Sequence, residues 1–340
     1  MSIEIVLHPK SASKEGMRRL LLALGFRPCQ HIWDWPKGSL HFRWFEERES
    51  LSCDGVEATI FPRDTEQKTL EPGGNWGLHT RTRATASTAD LRHQNSVIRA
   101  ARHQFGGSFF NDWHGRNRYT PIGRDRRDAT ARGVYLCYQN VTDQLSAVRY
   151  ALPEPDASLQ TLVGTKLAVM AQVDPNRVLY NAIVPFAVAA LEHFFGQTFR
   201  ILLRYDKGAQ ERLRQQTKRI DMADAMAIRD GTKTIEDVVA DWYSFQSISG
   251  IHAAFREWSD IDFWKLIRRR KKIGARLPFL ERRLAEVIEF RHGIVHRFAI
   301  RFELQKHEIE EVLDVVRALI EVLVEELEKR RGTPIRDKSF

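Results

Sequence analysis

Cysteine is scarce in this chain. Only Cys29, Cys53 and Cys137 occur in 340 residues, and they lie far apart. No CxxC pair sets two thiols at zinc-ligand spacing, and an odd, scattered set builds no disulfide framework. Long apolar runs are missing as well. The longest, Ala182 to Leu191, is too short to span a bilayer and stops at Glu192. Glu4 and His8 interrupt the first apolar residues, so no signal peptide is readable. These features predict a cytoplasmic protein with no membrane partner. There is no GxSxG and no glycine-rich dinucleotide fingerprint. Val163-Gly164-Thr165-Lys166 imitates the end of a P-loop, but Leu159 stands where its first glycine belongs. Internal repeats and low-complexity tracts are also missing.

What is present is an ordinary globular composition with a basic excess. Apolar residues make up 43% and charged residues 29%, and the formal charge is +9. The length leaves room for two domains with real cores. The charge favours an anionic partner, with nucleic acid the first candidate.

The pattern predicts an α+β protein: a small N-terminal α/β domain over residues 1–155 and an all-helical bundle over 156–335. Ile3 to Leu7 reads as a strand, and Ser11 or Ser13 caps a helix that Gly25 stops. Strand-like runs follow at 31–33, 40–45 and 56–61, and the polar stretch 63–77 reads as a loop. Ser87 and Asp90 open a helix that runs to Phe105. Its polar side aligns Arg92, Arg99 and His103. The loop 111–119 adds Trp113, Arg116, Arg118 and Tyr119. Cations beside aromatic rings suit an anion that carries a ring, so these residues are candidates for a sensor site that takes a nucleotide or phage-derived trigger. The competing account is a solvated helix face and a polar loop. Val134–Tyr138 reads as a short strand, and Pro153, Pro155 and Ser158 mark a linker. Beyond it the pattern is helical, with Tyr180 to Leu203 as the central helix and 308–330 as the closing one.

The stretch Glu289-Phe290-Arg291-His292-Gly293-Ile294-Val295-His296 carries the chemistry. It continues a helical apolar pattern from Leu284, Val287 and Ile288, and a helical wheel puts Arg291 in that stripe. His292 and His296 sit one turn apart. Metal-free RNA cleavage needs a base for the 2′-hydroxyl, an acid for the leaving 5′-oxygen and a fixed cation at the phosphorus. Histidine fills the first two roles and arginine the third. His292-x3-His296 also has the spacing of a zinc pair, but Gly293 occupies the place of the zincin glutamate and no third ligand is evident, so no metal or cofactor is expected. Upstream, Arg268, Arg269, Arg270, Lys271 and Lys272 form a basic run with no acid from Lys265 to Arg276. It is a candidate RNA-backbone contact, or else a solvated loop.

At Arg291-His292-x3-His296 the chain resembles the HEPN family, whose signature is Arg-(Asn/Asp/His)-x(3–5)-His near the start of a late helix. A long earlier helix with an internal Glu192, the segment Phe245-Gln246-Ser247 and a long closing helix agree with it. The resemblance covers roughly residues 175–330. It implies a helical bundle that dimerises. It further implies metal-independent RNase activity at a cleft lined by Arg291 and His296 of both protomers, as in toxin and antiphage systems. Geometry poses a question here, because positions five apart point about 140° apart on a regular helix. Either Gly293 distorts the helix, or two copies meet across a dimer seam. The rival account leaves His296 capping or packing near the helix and pairs Arg291 with Glu289 or Glu192.

Overall fold

The computed structural model describes residues 2–30, 35–46, 51–65, 69, 73–83, 86–123, 127–154, 174–273, 276–301 and 303–336. The chain forms two compact units, 1–126 and 127–340. The division falls ahead of the linker expected near residue 155. Pro155 and Ser158 of that linker, like the strand expected at 31–33, lie outside the described residues.

The first unit is an antiparallel sheet. Its strands are β1 (Ser2–His8), β2 (Arg27–Pro28), β3 (Leu40–Trp44), β4 (Val56–Pro62), β5 (Trp76–Arg83), β6 (Ser108–Asn111) and β7 (Gly115–Arg116). Their order is β2-β3-β4-β5-β1-β6-β7, and every pairing is antiparallel. Alternation builds it. Ile5 and Leu7 of β1, Ala58 and Ile60 of β4 and Leu78 of β5 point to one face. There they meet Met17 and Leu21 of α1 (Lys14–Ala23) and Val97, Ile98 and Ala101 of α2 (Thr88–Phe105). In β1 the result is a clean in/out alternation, whereas in β4 and β5 Thr59, Phe61 and His79 of the other face are buried as well. The α2 start is as the sequence implied: Ser87 accepts from the Asp90 N–H, and the Asp90 side chain accepts from the Ser87 N–H. Asp90 also accepts from the Cys53 and Asp54 N–H groups, so one carboxylate ties the helix to the turn before β4.

Strand β5 begins inside the polar stretch read as a loop. Thr80 and Thr82 are buried and β-branched, but the interleaved His79, Arg81 and Arg83 mask the alternation. The fold matches those groups with acids. His79 Nε2 lies 3.0 Å from Glu4, Arg81 lies 3.5 Å from Glu4, and Arg83 lies 3.4 Å from Asp54. The His79 hydrogen bond, helped by Ser2 and Arg81, pulls the Glu4 carboxyl down to about 2 against the cost of burial.

His93 of α2 stacks on Trp44 at 3.7 Å and leans on Phe26 at 5.3 Å. Burial pulls its pKa down to about 4 from 6.5. In the unfolded chain His93 takes its proton near 6.5, whereas the folded unit resists until about 4. Stability should therefore fall as pH drops through that window, by on the order of 1 kcal/mol once the ring's partial exposure is allowed for. Urea midpoints measured at pH 7 and pH 4 for wild type and His93→Asn check this. An equal loss in both proteins would remove His93 as its source.

The second unit is helical: α3 (Ala129–Tyr150), α4 (Pro175–Tyr205), α5 (Lys207–Gln215), α6 (Met222–Arg229), α7 (Ile235–Ala240), α8 (Ile248–Ser259), α9 (Phe263–Ile267), α10 (Leu280–Arg297) and α11 (Lys306–Arg331). The strand expected at Val134–Tyr138 is part of α3. Its β-branched and aromatic residues imitate a strand, but Ala131, Val134, Val141 and Leu145 lie in the bundle core. Tertiary packing overrides local propensity there. Gly133 permits the close approach, since a Cβ at that position would meet Ile201 at 2.9 Å. Helix α4 is the hub, touching α3, α5, α7, α8, α10 and α11. It is long and apolar enough to cross a membrane by length and composition, and half of its most apolar window is buried in the bundle. Phe195 and Phe199 pack edge-on against Phe255, Phe263 and Trp258, and Phe194 packs edge-on against Phe195. The helix runs unbroken through Pro185, well past its first turn. The chain is thus α+β, with an antiparallel sheet followed by helices.

Candidate functional site

Helix α10 carries the motif. Leu284, Val287 and Phe290 bury one face, and the backbone stays helical through Gly293 to Arg297. No distortion at Gly293 turns Arg291 and His296 toward each other. Within one chain they leave the helix about 140° apart.

Arg291 is half-buried and faces α4. Burial pushes the Glu192 carboxyl of α4 up, while the Arg291 charge and the Gln246 side chain hold it down. The two segments singled out beside the motif therefore meet it in space. Phe245 packs on Phe199 at 5.5 Å, and Ser247 caps α8, which fixes Gln246 between them. Glu289 is turned away from Arg291 and pairs with Arg297.

His292 and His296 are exposed, with ring centres 4.6 Å apart. They neither cap the helix nor pack into the core. Beside them Val295 is 47% exposed and Phe298 82%. Phe298 closes the helix in the left-handed region at φ 51°, its N–H bonded to the Gly293 carbonyl. The buried Asn181 of α4 binds the backbone of Arg301, which brings the first turns of α4 to the same end of the bundle. Val178, Leu179 and Phe186 of α4 are exposed as well. The histidines thus share the end of α10 with two exposed apolar side chains, Val295 and Phe298. Among the described residues no three His, Cys, Asp or Glu side chains converge as a metal site.

The basic run stands differently in space than in sequence. Arg268 faces Glu281 at 3.4 Å, Arg269 faces Glu326 at 3.5 Å, and Lys271 faces Glu325 at 2.7 Å and Glu321 at 3.7 Å. Arg270 lies over the Phe279 ring at 4.6 Å. Helix α11 supplies most of the acids that the run itself lacks. Only Arg270 and Lys272 of the five have no carboxylate partner among the described residues.

The sensor candidates also separate. Arg92, Arg99 and His103 are exposed on α2, and Arg99 lies over Tyr119 at 5.0 Å. Arg99 and His103 flank a shallow groove with Leu20 of α1, Ser96 and Gln104, and no acid lines it. Arg116 is elsewhere. It pairs across strands with Phe110, which pairs with Val6, on the sheet face that α1 and α2 leave uncovered. Arg118 is exposed in the turn after β7. The loop 111–119 therefore holds the turn between β6 and β7 and the strand β7 itself, and both of its arginines are exposed, Arg116 on the face away from α1 and α2.

No family model matches this chain, and neither a curated protein nor a solved structure is similar to it.

Proposed function

We propose that this protein is a metal-independent endoribonuclease of the HEPN type that acts as a homodimer. The observation that carries the reading is the surface around α10. A half-buried Arg291 lies within electrostatic reach of Glu192, which Gln246 hydrogen-bonds, and two exposed histidines stand beside uncovered Val295 and Phe298. Across a dimer seam, His296 of one protomer reaches the Arg291 side of the other, and the 140° divergence ceases to matter. One histidine takes the 2′-hydroxyl proton and its counterpart protonates the leaving 5′-oxygen. Arginine forks onto the phosphate oxygens as charge builds. His292 serves as the polar neighbour of the pair. The products are a 2′,3′-cyclic phosphate and a 5′-hydroxyl.

In this reading the N-terminal sheet unit restrains or recruits the nuclease. Its α2 groove, with Arg99 and His103, is the better candidate for a trigger than any set that includes Arg116. A toxin-like or antiphage role follows from the need to restrain a cytoplasmic RNase. Growth arrest on expression, relieved by His296→Ala, supports it.

Purified protein should cut RNA at full rate in EDTA, because the side chains supply acid, base and cation. Activity lost in EDTA and restored by a divalent metal would point to metal chemistry instead. The second reading is a non-catalytic HEPN-like dimer that binds RNA or a nucleotide. The divergence of Arg291 and His296 within one chain favours it. RNA that is bound but stays intact, with growth unaffected by His296→Ala, would select it.

A further inference from the structure

A cleft lies between α10 and α11. Its volume is about 630 Å³, within the range of small-ligand sites. Buried Val287, Phe290, Leu304 and Val312 form its floor. Four glutamates line the rim, and each is engaged. Glu286 pairs with Arg282 and Arg283, Glu311 with Arg283 and Arg276, and Glu289 with Arg297, while Glu308 accepts from the Gln305 N–H. Two basic side chains on the same rim, Arg301 and His307, have no carboxylate partner among the described residues.

Arg301 is also placed with care. Its guanidinium lies 4.1 Å over the Phe290 ring. Its N–H donates to Asn181 Oδ1 and its carbonyl accepts from Asn181 Nδ2, both at 2.9 Å. Asn181 is only 2% exposed. A buried amide thus clamps both backbone polar groups of one exposed arginine. Fixing the backbone ahead of binding lowers the ordering cost that a ligand would otherwise meet.

We propose that this cleft binds a nucleoside monophosphate unit. Arg301 forks onto the phosphate with His307 beside it, and the base lies on the apolar floor against Phe290 and the guanidinium. The unit is either a free nucleotide or one residue of an RNA strand. The site does not depend on the ribonuclease reading. If it is filled, the occupant bridges the motif helix and the closing helix, and it shifts their arrangement only if it favours one over another.

Isothermal titration of the full chain with AMP, GMP and inorganic phosphate tests this. The expected result is saturable binding of at least one nucleotide below ~1 mM, at least ~10-fold tighter than phosphate alone. Arg301→Ala should weaken it ~10-fold or more and His307→Ala by a smaller factor, because a bidentate charge-assisted contact is worth more than a single one. Asn181 holds the Arg301 backbone and not its side chain, so the variant should fold, and thermal melting checks that. Arg301→Lys should recover only part of the affinity, since a point charge cannot fork. A short RNA oligomer whose binding AMP displaces would identify an RNA residue as the occupant, and one that AMP leaves bound would identify the free nucleotide. No saturable nucleotide binding up to ~1 mM, or binding untouched by Arg301→Ala, would overturn the proposal.

Discussion

Replacing His296 by alanine is expected to lower RNA cleavage by at least ~100-fold, the usual scale for a lost general acid or base. The protein should melt as before, because His296 is exposed and lies beside the equally exposed His292. Arg291→Ala should cost a similar factor through lost charge stabilisation at the phosphorus. That variant also strips Glu192 of the charge that eases its burial, so some stability should go with it. Arg291→Lys separates the two effects: it keeps a cation near Glu192 but loses the fork, and should melt like wild type while cutting poorly. His292→Ala should weaken activity less. The measurement is cleavage of a labelled RNA with mapped ends, alongside thermal melting. Full cleavage by pure His296→Ala protein would end the ribonuclease reading.

The second large effect concerns Phe298. A bulky aromatic in the left-handed region is strained, and one 82% exposed gains almost nothing from its own fold in return. Such a residue makes sense if it is buried by something outside the chain, and the exposed Val295 stands on the same helix end. Phe298→Asp should therefore leave stability unchanged or slightly raised, because aspartate tolerates this conformation better than phenylalanine. It should also weaken the homodimer by several kcal/mol, on the order of 1,000-fold, since a charge would be driven into an apolar seam. Cleavage should fall with dimer content, read by sedimentation at micromolar protein. A variant that stays dimeric, or a wild type that is monomeric yet fully active, would contradict the shared-site argument. The same variant leaves Arg301 and His307 untouched, so nucleotide binding in the α10–α11 cleft should persist even if the dimer proposal fails.

Some of this protein was legible from residue order alone. Capping residues and apolar periodicity are local signals, so α2 with its Ser87–Asp90 box, α4 and α11 were readable, as were β1, β3 and β4. Residue order left open whether Arg291 meets Glu289 or Glu192, and the packing of α4 against α10 brought it to Glu192. Strand β5 was hidden because its outward positions carry His79, Arg81 and Arg83 in place of a simple polar alternation. The helix α3 was hidden because its strand-like run is buried by partners far along the chain.

Charge was the least legible property. The run from Arg268 to Lys272 is a basic cluster in sequence and a set of ion pairs in space, since the balancing Glu321, Glu325 and Glu326 lie some fifty residues away. Arg99 and Arg116 are close neighbours in the chain, but the α2 layer and the strand alternation send them to opposite sides of one sheet. Coulomb interactions fall off with distance in space, not along the chain, and only tertiary packing sets that distance. For the same reason the sequence determined which groups stand on α10, whereas the packing of α4 and α11 against it decided which are buried, which are paired and which remain exposed for a substrate.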